Sequence, residues 1–272
     1  MARVSQRAKL GPAPWTYNFS DNAGQGVAVY VLDTGINTTH PDFEGRAVRS
    51  RNFTGDGIDR DCTGHGTHLA GTVGAKTYGV AKKTQLIAVK VASCIGTTTA
   101  RDLIEGIEFA VADKRGTRGN VILIGSIQDQ NTALNQAVER AYQAGFVVVV
   151  PAGNDNQDAC NYSPAGAPAA VTVAATTLRD TKLPTSNHGR CVDVLGPGEN
   201  ILSAGTGATP RTRTGTGPAA AHAAGIAATV LSQGTTSPAQ VTARIRNLAT
   251  KNAVSGFNAA TPNVLLFNGI SA

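Results

Sequence analysis

Charge and aromatic rings are both scarce in this chain. Only 15% of its 272 residues are Asp, Glu, Lys or Arg and 5% are Phe, Trp or Tyr, which excludes coiled coils and highly charged disordered tails. No apolar run approaches the ~20 residues needed to span a bilayer. The opening Met-Ala-Arg-Val-Ser-Gln-Arg lacks the apolar stretch of a secretory signal. Basic residues outnumber acidic ones 24 to 18, a net charge of +6, but they are scattered. The densest groups, Arg46-Arg49-Arg51 and Arg211-Arg213, carry no interleaved aromatics, which speaks against nucleic-acid binding. The overall sign still favours an acidic ligand or partner. No Cys-x-x-Cys spacing is present, so a cysteine-ligated metal is not expected. With no repeat, low-complexity stretch or linker, residues 1–272 read as one domain.

What is present is 41% hydrophobic residues, 31 glycines and four cysteines. The cysteines fall into two pairs of similar separation, Cys62 with Cys94 and Cys160 with Cys191. Loops of that size suit disulfides, each contributing about 3–4 kcal/mol on the chain-entropy model, and disulfides imply an oxidising compartment or a secreted ancestor. The predicted strands are Val27–Asp33, Leu86–Val91, Asn120–Ser126, Phe146–Gly153, Ala170–Thr176 and Cys191–Gly196. Several lack polar/apolar alternation, as expected for strands buried on both faces of a parallel sheet. Helical periodicity marks His65–Ala75, Thr99–Lys114 and Thr132–Ala144, and a further helix from Pro218 to about Ser232, with Gly234 just beyond its end. Strand–helix–strand succession predicts an α/β fold with a doubly wound, mostly parallel sheet and helices on both faces.

In such sheets functional groups gather at the carboxyl ends of strands. Asp33 ends the first strand, His65 opens a helix, and Asn154 follows the strand Phe-Val-Val-Val-Val-Pro-Ala-Gly-Asn. Each has an ordinary structural explanation on its own: a turn Asp, a helix-start His, an Asn in a glycine-containing loop. Together they suggest a site.

Around these residues the sequence resembles the subtilisin (subtilase) serine protease family. Asp33-Thr34-Gly35, Gly64-His65-Gly66-Thr67-His68-Leu69-Ala70-Gly71-Thr72 and Ala152-Gly153-Asn154 match its Asp, His and oxyanion-Asn motifs. Tyr78-Gly-Val-Ala-Lys-Lys-Thr-Gln-Leu86 resembles the proteinase K branch. The cysteine spacing and Ala159-Cys160-Asn161-Tyr162-Ser163-Pro164-Ala165 are similar to aqualysin-like members. The resemblance runs from about Arg3 to the C-terminus. It implies that Asp33 orients His65, that His65 is the general base, and that the Asn154 amide holds an oxyanion. It also implies a structural calcium held by Pro168, Ala170 and Asp193, the first two through backbone carbonyls. Asp193 is equally explained as a strand-end cap. No cofactor is expected for the chemistry itself, and the family's usual state is a monomer.

The resemblance fails at one decisive point. The family's nucleophile lies in Gly-Thr-Ser-Met-Ala-(Ala/Thr)-Pro-His, and this chain reads Gly215-Thr216-Gly217-Pro218-Ala219-Ala220-Ala221-His222. Gly217 takes the serine position, Pro218 replaces the usual Met and Ala221 the usual Pro. The segment implied to pair with substrate, normally Ser-Leu-Gly-Gly, reads Leu123-Ile124-Gly125-Ser126-Ile127-Gln128-Asp129-Gln130. Ile127 and Gln128 there would obstruct an approaching backbone. Thr214, Thr216 and Ser126 are candidate substitute nucleophiles, none expected at the required place on the helix.

The expectation is therefore a subtilase-fold chain without serine endopeptidase activity. Its leading role is an Asp–His acid/base enzyme acting on a small, non-peptide substrate by elimination, isomerisation or cyclisation. The alternatives are a pseudoprotease that binds a peptide or protein uncut, a hydrolase using another nucleophile, and an inert scaffold. If Met1 is the natural start, a chain with neither signal nor propeptide would be cytoplasmic, in conflict with the cysteine pairs.

Overall fold

A computed structural model describes residues 1–207 and 209–270. In chain order the strands are β1 (Val27–Asp33), β2 (Ala47–Asn52), β3 (Gln85–Lys90), β4 (Gly119–Ile124), β5 (Gln128–Asp129), β6 (Phe146–Pro151), β7 (Tyr162–Ser163), β8 (Ala170–Thr176), β9 (Val194–Pro197), β10 (Ile201–Ser203), β11 (Arg211–Arg213), β12 (Thr250–Lys251) and β13 (Val264–Leu265). The helices are α1 (His65–Gly74), α2 (Ala100–Asp113), α3 (Thr132–Gln143), α4 (Thr216–Ser232) and α5 (Pro238–Leu248). Nine strands form one sheet in the order β12-β13-β9-β8-β6-β4-β1-β3-β2. Every pairing in it is parallel except β12 with β13.

The expected burial on both faces is visible residue by residue. Along β1, Val27, Val29 and Val31 join a core with Leu69 and Val73 of α1, the alanines of α4, and Val241 and Ile245 of α5. Ala28, Tyr30 and Leu32 point the other way, to Leu103 and Ile107 of α2 and Leu134 and Val138 of α3. With both faces covered, no alternation survives in the strand sequence. Helix α4 is buried along its whole length; its run of Ala and Gly lets it lie close against both the sheet and α1.

Side-chain caps fix where the outer helices begin: Thr99, Asn131 and Ser237 accept from the N–H of Asp102, Leu134 and Gln240. Both expected disulfides are formed, Cys62–Cys94 and Cys160–Cys191, spanning 32 and 31 residues. The first ties the loop before α1 to the turn after β3. Among the described residues no helix is long and apolar enough to cross a membrane.

Candidate active site

The sheet order places the carboxyl end of β1 between those of β4 and β3, and Asp33 stands there, 4% exposed. Its carboxylate lies against two glycines. A β-carbon on Gly125 would collide with Asp33 Oδ2, and one on Gly66 would collide with the carbonyl of Gly35 while pressing on Asp33 Oδ1 at 3.1 Å. Thr34 N–H donates to Asp33 Oδ1 at 2.7 Å. Into this fixed carboxylate His65 sends Nδ1, 2.9 Å from Oδ1 and 2.8 Å from Oδ2.

Position one of α1 holds His65, and the loop before it is organised by Asp61. That buried carboxylate accepts from Gly64 N at 2.8 Å, Thr67 N at 2.9 Å, Thr67 Oγ1 at 2.6 Å and Thr34 Oγ1 at 2.8 Å. It thereby caps the helix and couples it to the end of β1. Asp61 escaped the sequence reading because it lies three residues before the N-cap, Gly64, outside the position where a capping side chain is sought. Lys90, also missed, is 2% exposed at the end of β3. Its Nζ donates to the carbonyls of Thr34 and Ala92 at 3.1 and 2.8 Å and lies 3.5 Å from Asp56. A lone lysine within an apolar strand was the available signal.

The Asp33 carboxylate raises the pKa of His65 through its charge, against the opposing effects of burial and the nearby Arg213. Burial alone would raise Asp33, but the His65 charge and the hydrogen bonds from His65 and Thr34 outweigh it and hold Asp33 below the usual carboxylate range. At neutral pH the pair is an ionised carboxylate holding Nδ1–H, which leaves Nε2 as the working nitrogen.

Nε2 faces the first turn of α4. A β-carbon on Gly217 would sit 3.4 Å from His65 Nε2 and 3.7 Å from Leu69 Cδ2, so no side chain separates the imidazole from the helix. The helix starts at Thr216, two residues before the expected Pro218. Gly215 N–H donates to Gly198 O at 2.8 Å, and Thr216 N–H donates to Asn154 Oδ1 at 2.9 Å. Pro218 has no N–H. Among the described residues the Gly217 N–H is left without a protein acceptor.

Asn154 reaches this turn from the loop after β6. With Oδ1 committed to Thr216, its Nδ2 has no protein acceptor among the described residues and is free to donate. Asn187 holds the loop in place: its Oδ1 accepts from Asp155 N and Gln157 N at 3.0 and 2.9 Å, and its Nδ2 donates to Ala152 O at 2.9 Å. Nothing in the sequence singled out Asn187.

The substitute nucleophiles fare differently from one another. Thr216 opens α4, but the position facing His65 Nε2 is that of Gly217, and the Thr216 hydroxyl is engaged by Asn154 Oδ1 at 3.2 Å and Gly153 N at 3.2 Å. The Thr214 hydroxyl accepts from Asn200 N at 2.9 Å. Ser126 lies just past β4, beside the dyad's Gly125. Ile127 and Gln128 turn toward neighbouring loops. A β-carbon on Gly153 would collide with Ile127 Cδ1, and Gln128 Nε2 donates to Thr98 O at 2.9 Å.

Pro168, Ala170 and Asp193, expected around calcium, line one cavity of about 420 Å³ with Arg246 of α5. Asp193 Oδ2 accepts from Thr172 N at 2.9 Å, and Arg246 Nη1 lies 3.5 Å from Oδ1. The set has one carboxylate, already facing a guanidinium, and a divalent ion there would meet that positive charge. The donor set fits calcium poorly.

A doubly wound, mostly parallel sheet carrying an Asp–His dyad and an amide at a helix N-terminus is the combination of fold and site that this chain presents. The chain belongs to the Subtilase family, whose sequence profile matches residues 24–262. It is 41% identical over 99% of its length to a cuticle-degrading protease of Metarhizium anisopliae, covering 69% of that protein. It is 44% identical, again over 99%, to subtilisin-like protease 3 of Trichophyton equinum, covering 67%. Among solved structures, a cold-adapted subtilisin-like serine proteinase matches with a TM-score of 0.92 and 40% identity, over 98% of this chain and 96% of the other.

Proposed function

We propose that this subtilase does not cleave peptides through an acyl-enzyme and that Asp33 and His65 act as an acid–base pair on a small substrate. The observation that carries the reading is the bare α-carbon of Gly217 opposite His65 Nε2. On this reading Gly217 stands where the family's serine would be, and a glycine there supplies neither nucleophile nor proton. The space it leaves is bounded by a base, Nε2, and by two donors, Gly217 N–H and Asn154 Nδ2. That combination suits removal of a proton from carbon while negative charge develops on an adjoining oxygen. The relatives at 40–44% identity carry protease names, which supports descent from a peptidase. The two disulfides support an oxidising, extracellular setting, and the cytoplasmic alternative has no support.

The test pairs casein with a nitrobenzisoxazole, whose ring opens when a base removes its carbon-bound proton. The unmodified chain should leave casein intact and open the benzisoxazole at a rate that His65→Ala lowers at least about tenfold. Because the Asp33 charge raises the His65 pKa, the free-base form accumulates at higher pH than it would for a free imidazole, and the rate should rise with pH through that limb. Casein cleavage that His65→Ala abolishes would refute the proposal. A benzisoxazole rate indifferent to His65 would refute the acid–base half of it.

A further inference from the structure

The carboxyl ends of neighbouring strands leave a crevice around Asp33, flanked by three stretches: residues 91–98 after β3, 125–128 after β4 and 152–154 after β6. Crevices of this kind are where ligands enter open α/β sheets. Here side chains from the middle stretch fill both sides. Toward β6, Ile127 packs its Cδ1 onto Gly153, at a point where that glycine (φ +106°) has no room for a β-carbon. Half-buried, Ile127 joins a small apolar cluster with Ala152, Ala165 and Val192. Toward β3, Gln128 reaches past the end of β1 and donates from Nε2 to the carbonyl of Thr98 at 2.9 Å. The 91–98 stretch is itself a closed turn, with Ala92 bridged to Thr98 and Ser93 N–H donating to Thr97 O. The backbone of Gln128 and Asp129 is meanwhile paired to β7, so the middle stretch is held from behind.

We infer that Ile127 and Gln128 are specificity-determining residues: they occupy the cleft beside His65 and restrict the site to compact ligands that lack an extended peptide backbone. The inference rests on the acid–base reading of the same site and names the class of substrate it takes. An extended chain needs main-chain partners along the cleft wall and a recess for a side chain. The Thr98 carbonyl is taken by Gln128, and the recess over Gly153 by Ile127. A small molecule needs neither; it has only to reach His65 Nε2, which no side chain at position 217 covers.

The experiment is fluorescence anisotropy with a fluorescein-labelled apolar hexapeptide, comparing the unmodified chain with Ile127→Gly/Gln128→Gly. The double variant should bind at least about tenfold more tightly, and His65→Ala added to it should leave that binding unchanged. Equal binding by the unmodified chain and the double variant would overturn the inference. Should the double variant fail to fold, Gln128→Ala serves alone: amide exchange at Thr97–Thr99 should accelerate and hexapeptide binding tighten, and no change in either overturns the inference. The two readings fail separately. Peptide binding without cleavage sinks only this inference, and His65-independent benzisoxazole chemistry without peptide binding sinks only the acid–base reading.

Discussion

Replacing Gly217 by alanine should stabilise the protein while injuring the proposed site. Gly217 is the second residue of α4, and its φ lies outside the left-handed region, so its conformation is open to any residue. The added β-carbon would meet His65 Nε2 at 3.4 Å, His65 Cε1 at 3.6 Å and Leu69 Cδ2 at 3.7 Å, all ordinary contacts that force no neighbour to move. Glycine in a helix costs roughly 0.5–1 kcal/mol relative to alanine, chiefly through unfolded-state entropy. For a protein of this size a gain of that order raises Tm by about 1–4 °C. The same methyl group would stand in the space facing Nε2, so benzisoxazole turnover should fall at least about tenfold. Scanning calorimetry and the turnover assay on one preparation check both halves. A Tm lowered by 2 °C or more would mean that the turn needs glycine for packing, and the argument from open space would fail.

Three further outcomes follow from particular residues. His68 and His222 are buried with one ring nitrogen each unpartnered, and burial lowers their pKa values to about 4 and about 3. The unfolded chain binds these protons first, so stability should fall as pH drops below ~6.5, by about 1.4 kcal/mol per unit per histidine; urea unfolding at pH 7 and 4.5 reads it, and a flat profile refutes it. Because Arg246 faces Asp193, EDTA should leave Tm within about 1 °C, and a larger loss restored by calcium would show that the ion binds after all. Replacing Cys160 and Cys191 by serine opens a loop of 31 residues and should cost about 3–4 kcal/mol in denaturant unfolding.

The elements most legible in the sequence were those with the most uniform burial. Val27–Asp33 and Ala170–Thr176 fall on the observed bounds, since continuous apolar runs leave little ambiguity. The strand expected over Asn120–Ser126 stops at Ile124: Gly125 and Ser126 leave the sheet to flank Asp33, and local pattern cannot show where pairing gives way to a site. Edge strand β2, Ala-Val-Arg-Ser-Arg-Asn, was missed because it is too polar to stand out. Helix α5 was missed despite its Ser237-Pro238 start signal. Asp33 and His65 were legible as motifs, but the bonds by which Asp61 and Lys90 hold the end of β1, both to Thr34, span 27 and 56 positions of chain. Only the folded arrangement brings those together.

The glycine cradle around Asp33 carries a lesson for protein engineering. Position 125 admits no side chain without displacing the Asp33 carboxylate, and position 66 none without displacing the Gly35 carbonyl beside it, so a library that varies them would disturb the dyad's support. Position 217 accepts at least a methyl group and faces the imidazole. The scaffold thus separates the part of its centre that must stay fixed from the part that can be varied. A search for new proton-transfer catalysts on this chain should hold the cradle and spend its diversity on Gly217 and the cleft-filling pair beside it.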